Sequence, residues 1–446
     1  EVRGELQAAL VSDVTAANWP IWKQRIIDAA NIDSNDLATF PPLIRFVELV
    51  AEQHPGFVLS MLQRKNDVPN WLIGPLANVL LCGPLVLPTS GLLSAWVQAG
   101  ENVAEIAGTF VFNPSPNLHL LRKTTERALN DKDAHACILL MDAAALLFES
   151  DEKLWRDEVF FPCLSILMEL KNYHWIDRVW YSVRLKKMFA SFDQSQRNLI
   201  LDAMVEIPTI DYHAEQILCS IAIDDPELVL EWFGRRLDFS PDQTGFDFSA
   251  MPFSFYDLDK ILSPHVEIVL GAVRRWFDKH ANDQRWSVSH FLSLIYPEFS
   301  EPLSERVAEI VSSDDNDSLR FVVSVLEGFE GQQSLLPVLH AILASESVTD
   351  ELEQSVSHIL NETGVMSGEF GPAETYQAKA DLLRPWLKDS SSRVVEFATK
   401  EIRALERQAA SETRRAQEEI AMRKLEYGES LESEDDSSNT GGVPGT

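Results

Sequence analysis

The sequence predicts an all-α fold, an α-solenoid of irregular helix pairs, and three observations carry that reading. No stretch alternates apolar and polar residues as a half-buried strand would; apolar residues recur at helical spacing along nearly the whole chain. The joints between these segments are short, about 2 to 8 residues, as helix–helix connections are. Finally, Leu382 to Leu405, LLRPWLKDSSSRVVEFATKEIRAL, reads as one complete unit. A short apolar helix (Leu382, Leu383, Trp386, Leu387) stops at Lys388-Asp389, and a serine turn follows. A second helix then sets Val394, Phe397, Ala398, Ile402 and Leu405 on one face, with a serine ahead of Arg393 placed to cap it. Neither helix can bury its stripe alone, so the unit must stack on others like it.

Taken in order, the chain opens with two helices from Leu6 to Ala30, broken near Asn18-Trp19-Pro20. Leu43 to Gln53 enters through Pro41-Pro42, and Pro55 sits where a first helical residue tolerates proline. Prolines then punctuate residues 66–116, leaving short helices around Trp71–Leu81 and Leu92–Ile106. Longer helices follow at Leu118–Leu129, Ala134–Phe148, Leu154–Leu170, Trp175–Phe189 and Gln196–Val205, the last behind an Asp193/Gln196 capping box. Asp225 and Pro226 open the next one. Helices resume at Ile261–His280, Ser287–Ile295, Pro302–Val311, Leu319–Phe329, Leu335–Ala344 and Glu351–Asn361.

The domain reading is therefore 1–116 (helical repeats with proline-rich joints), 117–237 (long-helix repeats), 238–259 (a loop), 260–428 (repeats and a charged terminal helix) and 429–446 (a disordered acidic tail). The loop carries Phe239, Phe246, Phe248, Phe253, Phe255 and Tyr256 with five aspartates and no helical period. A non-helical stretch of that length inside a helical array either has a job or tucks its rings into the neighbouring helix pair. The residues expected to face a partner are Phe246, Phe248, Phe253 and Phe255, together with Tyr173 and Trp175 from the cluster Tyr173-His174-Trp175 near Trp180-Tyr181. Core packing is the plainer account of that second cluster.

The 382–405 unit resembles a HEAT-type helical repeat, with irregular spacing of roughly 30 to 45 residues that also suits ARM- and TPR-like pairs. Residues 334–429, ending in RRAQEEIAMRKLEYGE, further resemble the C-terminal sensor part of bacterial signal-transduction NTPases with numerous domains, several of which serve in antiphage defence. That resemblance implies a protein-binding sensor region whose ligand is a phage or other protein, and the free cysteines point to a reducing cytosol. A first residue of Glu1 rather than Met fits a piece of a longer chain. A general scaffold, or an enzyme whose site follows no motif, are the alternatives.

Composition narrows the classes. Lys and Arg number 38 against 69 Asp and Glu, a net charge of −31, and five of those negatives lie after Gly428. A body so acidic repels phosphate backbones, which speaks against nucleic acid as partner. Cys82, Cys137, Cys163 and Cys219 are spaced for neither a zinc knuckle nor a disulfide framework, and all four read as buried free thiols of a reducing compartment. Gly74, Pro75, Gly83 and Pro84 interrupt the longest apolar run, so no membrane span is expected, and the N-terminus has no basic start for a signal peptide.

The search for chemistry yields little. The chain has no phosphate-binding Gly-Lys-Ser/Thr loop, no GxGxxG, no GxSxG and no HExxH, so no catalytic residue, cofactor or metal is expected. Asp314-Asp315-Asn316-Asp317 lacks the glycine and bidentate Glu of a calcium loop and reads as helix-capping aspartates. His135 near Asp131 and Asp133, and His213 beside Asp211 and Glu215, come nearest to constellations, and local pairing accounts for both. The basic residues Arg184, Lys186, Lys187, Arg235, Arg236, Arg274 and Arg275 read as solvated or ion-paired helix faces.

Overall fold

In the computed structural model every regular element among the described residues is a helix. The structure describes residues 7, 9–32, 40–64, 68–113, 115–179, 185–239, 248–279, 285–329, 331–361 and 368–435, with the side chains of 179, 185, 186, 285–288 and 427–435 left aside. The chain divides into two compact units, residues 1–252 with 256–258, and residues 253–255 with 259–446. The division falls inside the aromatic, acidic segment, whereas residues 113–117, where composition changes, lie within the first unit. No described helix is long and apolar enough to cross a membrane.

The first unit contains α1 (Trp19–Ala30), α2 (Phe40–Gln53), α3 (Pro55–Leu62), α4 (Asn70–Leu81), α5 (Val86–Ala99), α6 (Val103–Phe112), α7 (Leu118–Asp131) and α8 (Ala134–Leu147). It continues through α9 (Phe161–Glu169), α10 (Trp175–Val179), α11 (Leu185–Ala190), α12 (Gln194–Met204), α13 (Tyr212–Ala222) and α14 (Pro226–Asp238). Alternate helices pack side by side: α2 on α4, α4 on α6, α6 on α8, and α5 on α7. The reason is local. A helix such as α2, where Phe46, Val47, Val50 and Ala51 are buried, is amphipathic and needs a neighbour on its apolar side, whereas α8 is buried nearly all round. Prolines enter without penalty in first turns, as in α3 and α14, where no intrahelical amide is lost.

The expected helix Leu92–Ile106 is two helices: Gly100 ends α5 at φ +76°, left-handed backbone that a Cβ would strain, and α6 begins after Asn102. Leu154–Leu170 is also not uniform. Residues Leu154–Phe160 wind as a π-helix ahead of α9. Trp175–Phe189 gives α10 and α11, with 180–184, including Trp180 and Tyr181, outside the described residues. The capping box of Asp193 and Gln196 is present at α12, and Asp225 caps α14 through the Leu228 amide.

The second unit holds Val266–Lys279, Arg285–Ile295, Glu301–Val311, Asn316–Glu327, Leu336–Ala344, Asp350–Asn361, Gly371–Leu383 and Ser392–Asp435. Its own core includes Ala380, Leu383, Ala398, Ile402 and Leu405. The apolar helix expected at Leu382–Leu387 is the end of Gly371–Leu383 followed by a 3-10 turn, Arg384–Lys388, and Leu387 is exposed rather than buried. The terminal helix runs 44 residues to Asp435, past the start expected for a disordered tail. It lies along its unit as far as Arg423, which pairs with Glu369 at 2.6 Å. Residues 436–446 are outside the described residues.

Candidate partner-binding groove

Alternate packing sets α2, α4, α6 and α8 in a row, and a groove of about 670 Å³ crosses all four. From α2 come Ile44 and Glu48; from α4, Asn70, Trp71, Gly74, Pro75 and Asn78; from α6, Ala104, Glu105, Gly108 and Phe112; from α8, His135 and Leu139. The glycines make the floor. A Cβ on Gly74 would stand 3.3 Å from the Glu105 carbonyl oxygen, so a side chain there would push the two helices apart by a few tenths of an ångström. Beside it, Pro75 has no amide to offer the Trp71 carbonyl, leaving a helix interior with an acceptor to spare.

Two aromatic rings wall the groove. Phe112 is 73% exposed, a costly position for a phenyl ring in water. Trp71 is held by its Nε1–H, which donates to the Ala30 carbonyl at 3.3 Å, and by the Phe40 ring 4.7 Å away. Asn78 adds a polar signal: its Oδ1 is buried, and no donor reaches it among the described residues. An acceptor so placed has lost water without gaining a partner. Glu48, paired with Arg45 at 3.1 Å, and Glu105 give the lining a negative cast.

The residues singled out by sequence lie elsewhere. Phe246 is outside the described residues. Phe248 is half-buried over the Arg236 guanidinium, 4.6 Å from its ring, and 5.1 Å from Phe239. Phe255 is half-buried edge-on to Phe291 at 5.8 Å, while Phe253 is 91% exposed. Trp175 is not a surface anchor: it is 1% exposed, because its ring and Ile176 fix α10 to the first unit's core. Tyr173 is half-buried in a second recess, with Asp177 and Asp211.

Other expectations resolve simply. Cys137, Cys163 and Cys219 are buried, but Cys82, at the end of α4, is exposed. A hydrogen bond to Cys137, with burial, raises the Cys163 thiol, an unreactive state. Asp315 caps its helix through the Ser318 amide. Lys187 pairs with Glu149, Arg235 with Asp202 and Arg274 with Asp278, so these cations form no open strip. Comparison with family models, curated proteins and solved structures finds no match for the chain.

Proposed function

We propose that this chain is a protein-binding module of helical-repeat type, and that the groove across α2, α4, α6 and α8 takes an amphipathic segment of a partner. The groove itself carries the proposal. Its rings and glycine floor suit an apolar side chain, the orphan Asn78 oxygen suits a donor, and Glu48 and Glu105 in a chain of net charge −31 suit basic flanks.

The solenoid reading draws support from a recurring offset of polar links. Arg122 meets Glu158, Lys171 meets Glu206, His213 meets Asp177 and Arg235 meets Asp202, at separations of 36, 35, 36 and 33 residues. In the second unit, Arg320 meets Glu351 and Arg393 meets the Val348 carbonyl, at 31 and 45. A chain whose neighbours recur at that interval stacks one helix pair on the next. The narrower reading, a sensor region of a larger bacterial defence protein with a phage protein as ligand, rests on the resemblance of residues 334–429.

The test has two arms. Selection of random peptides displayed against the whole chain should enrich segments combining aromatic or aliphatic residues with Lys or Arg. Their binding should be lost on Phe112→Ser or on Gly108→Leu, which plugs the floor, with the melting temperature unchanged. Peptides that bind both variants as well as the original chain would rule the groove out. For the sensor reading, a protein captured from infected but not uninfected bacterial lysate must also be released by Phe112→Ser.

A further inference from the structure

We propose that Asp177, Asp211 and His213 form a site for a first-row divalent cation, zinc-like in its preferences, independent of the groove. The three side chains come from two packed helices of the first unit. Trp175 and Ile176, both buried, turn Asp177 of α10 outward. Asp211 caps α13: its Oδ1 accepts from the Ala214 amide at 2.9 Å, which leaves Oδ2 facing the other way. His213 follows in the first turn, with Nδ1 3.0 Å from Asp177 Oδ1 and 4.0 Å from Asp211 Oδ2.

All three donor atoms lie within 4.8 Å of one another. Bonds of about 2.0–2.2 Å to nitrogen and oxygen put ligand atoms roughly 3 to 3.6 Å apart, so a small rotation of Asp211 completes the geometry. The charge argument points the same way. Two carboxylates converge on one imidazole, while Lys171, which lines the same recess, is committed to Glu206 at 2.7 Å. One imidazole and two carboxylates are a mixed N/O set, suited to Zn²⁺, Co²⁺ or Mn²⁺. The cation takes the place of the proton that His213 Nδ1 shares with Asp177; the ring binds as the neutral tautomer protonated at Nε2, exchanging one proton with water at each nitrogen.

His174, with Nδ1 3.7 Å from Asp177 Oδ2, lines the same recess but stands outside the three-residue cluster. The site opens on a recess of about 420 Å³ that admits water to any remaining position. Because Asp177 and His213 are 36 residues apart, the ion would staple one helix pair to the next.

Isothermal titration of the full chain with ZnCl₂ should show one saturable site, and Co²⁺ should give a visible ligand-field band. His213→Ala and the double variant Asp177→Asn, Asp211→Asn should each lose the heat and the band, whereas His119→Ala keeps both. Unchanged metal-free melting of the variants shows that they fold. No saturable heat with Zn²⁺, Co²⁺ or Mn²⁺ overturns the site, as does binding that survives in both variants.

Discussion

The carboxylate of Glu215, buried at 1% exposure in α13, accepts the backbone amide of Leu258 at 2.9 Å across 43 residues of sequence. The same group also takes the amides of Tyr256 and Asp257, at 2.8 and 2.7 Å. One side chain thus satisfies three consecutive donors where the chain leaves the aromatic segment. Glu215→Ala leaves those donors buried without an acceptor and should destabilise the chain by about 3 kcal/mol in urea unfolding. Hydrogen exchange at residues 256–258 should accelerate first. If exchange there stays slow while stability falls, the carboxylate is not what holds the segment.

Arg236 holds the other end. Fully buried, it donates to the carbonyls of Met204, Val205, Ile207, Ser249 and Ala250, with the Phe248 ring against its face. Burial pushes its pKa below the usual guanidinium value, and the five carbonyl dipoles hold the charge in place. Arg236→Met should cost about 3–5 kcal/mol, and Arg236→Lys should recover part of it, because an ammonium has three donors rather than a five-donor fork. Equal losses for Lys and Met would show that the fork geometry, and not the charge, matters.

Asn78→Leu separates stability from recognition. Removing an orphaned buried oxygen should leave the unfolding free energy unchanged or raise it by up to about 1 kcal/mol. Binding of groove-selected peptides should weaken at the same time. A variant both less stable and equally good at binding would contradict the role given to Asn78.

Gly328→Ala should destabilise the second unit by about 1–3 kcal/mol. A Cβ there would stand 2.7 Å from the Ser289 carbonyl oxygen, a backbone atom that cannot swing aside. Gly108→Ala, whose Cβ would meet only the tip of Leu139 at 3.8 Å, is the control and should be near neutral. Calorimetric melting of both variants decides it.

Acid titration reports on Asp315. Hydrogen bonds from Ser318 and Ser313 pull its carboxyl down to about 2, from an ordinary 3.8. A carboxylate with a depressed folded pKa contributes stability above the unfolded pKa and loses it as pH falls. The melting temperature of the original chain should therefore drop between about pH 4 and 2 by more than that of Asp315→Asn, with parallel curves above that window. Parallel curves throughout would remove the cap from the account.

Local rules were legible in the sequence wherever one residue decides one hydrogen bond. The caps at Asp193, Asp225 and Asp315 and the proline entry at Pro55 all follow from side chains acting within a turn. The split at Gly100 was readable from the glycine, but the apolar residues on either side mimic one continuous period. The sites were harder. Aromatic density drew attention to 246–255 and to Trp175, yet a ring's destination depends on what stacks above it. The groove is made of glycines and a proline that read as helix breakers, and its four helices are separated by others in sequence. Likewise, of the two residues read beside His213, Asp211 comes within 4.0 Å, but Glu215 turns inward to Leu258, and the nearer carboxylate is Asp177, 36 residues back in the sequence.

The wide turn at Leu154–Phe160 bears on how this chain tolerates insertion and deletion. Across it the buried positions step from Leu154 and Trp155 to Val159 and Phe160, an offset of five, then to Cys163 and Leu164, an offset of four. The Phe161 amide reaches back five residues to Arg156, so the helix carries one residue more than a regular turn holds. Excising exposed Asp157 would restore the shorter offset and keep the same apolar face inward. Elsewhere in a helix the same excision rotates everything beyond it by about 100°. The turn is thus a reading-frame slack point, where a length change is absorbed within one helix.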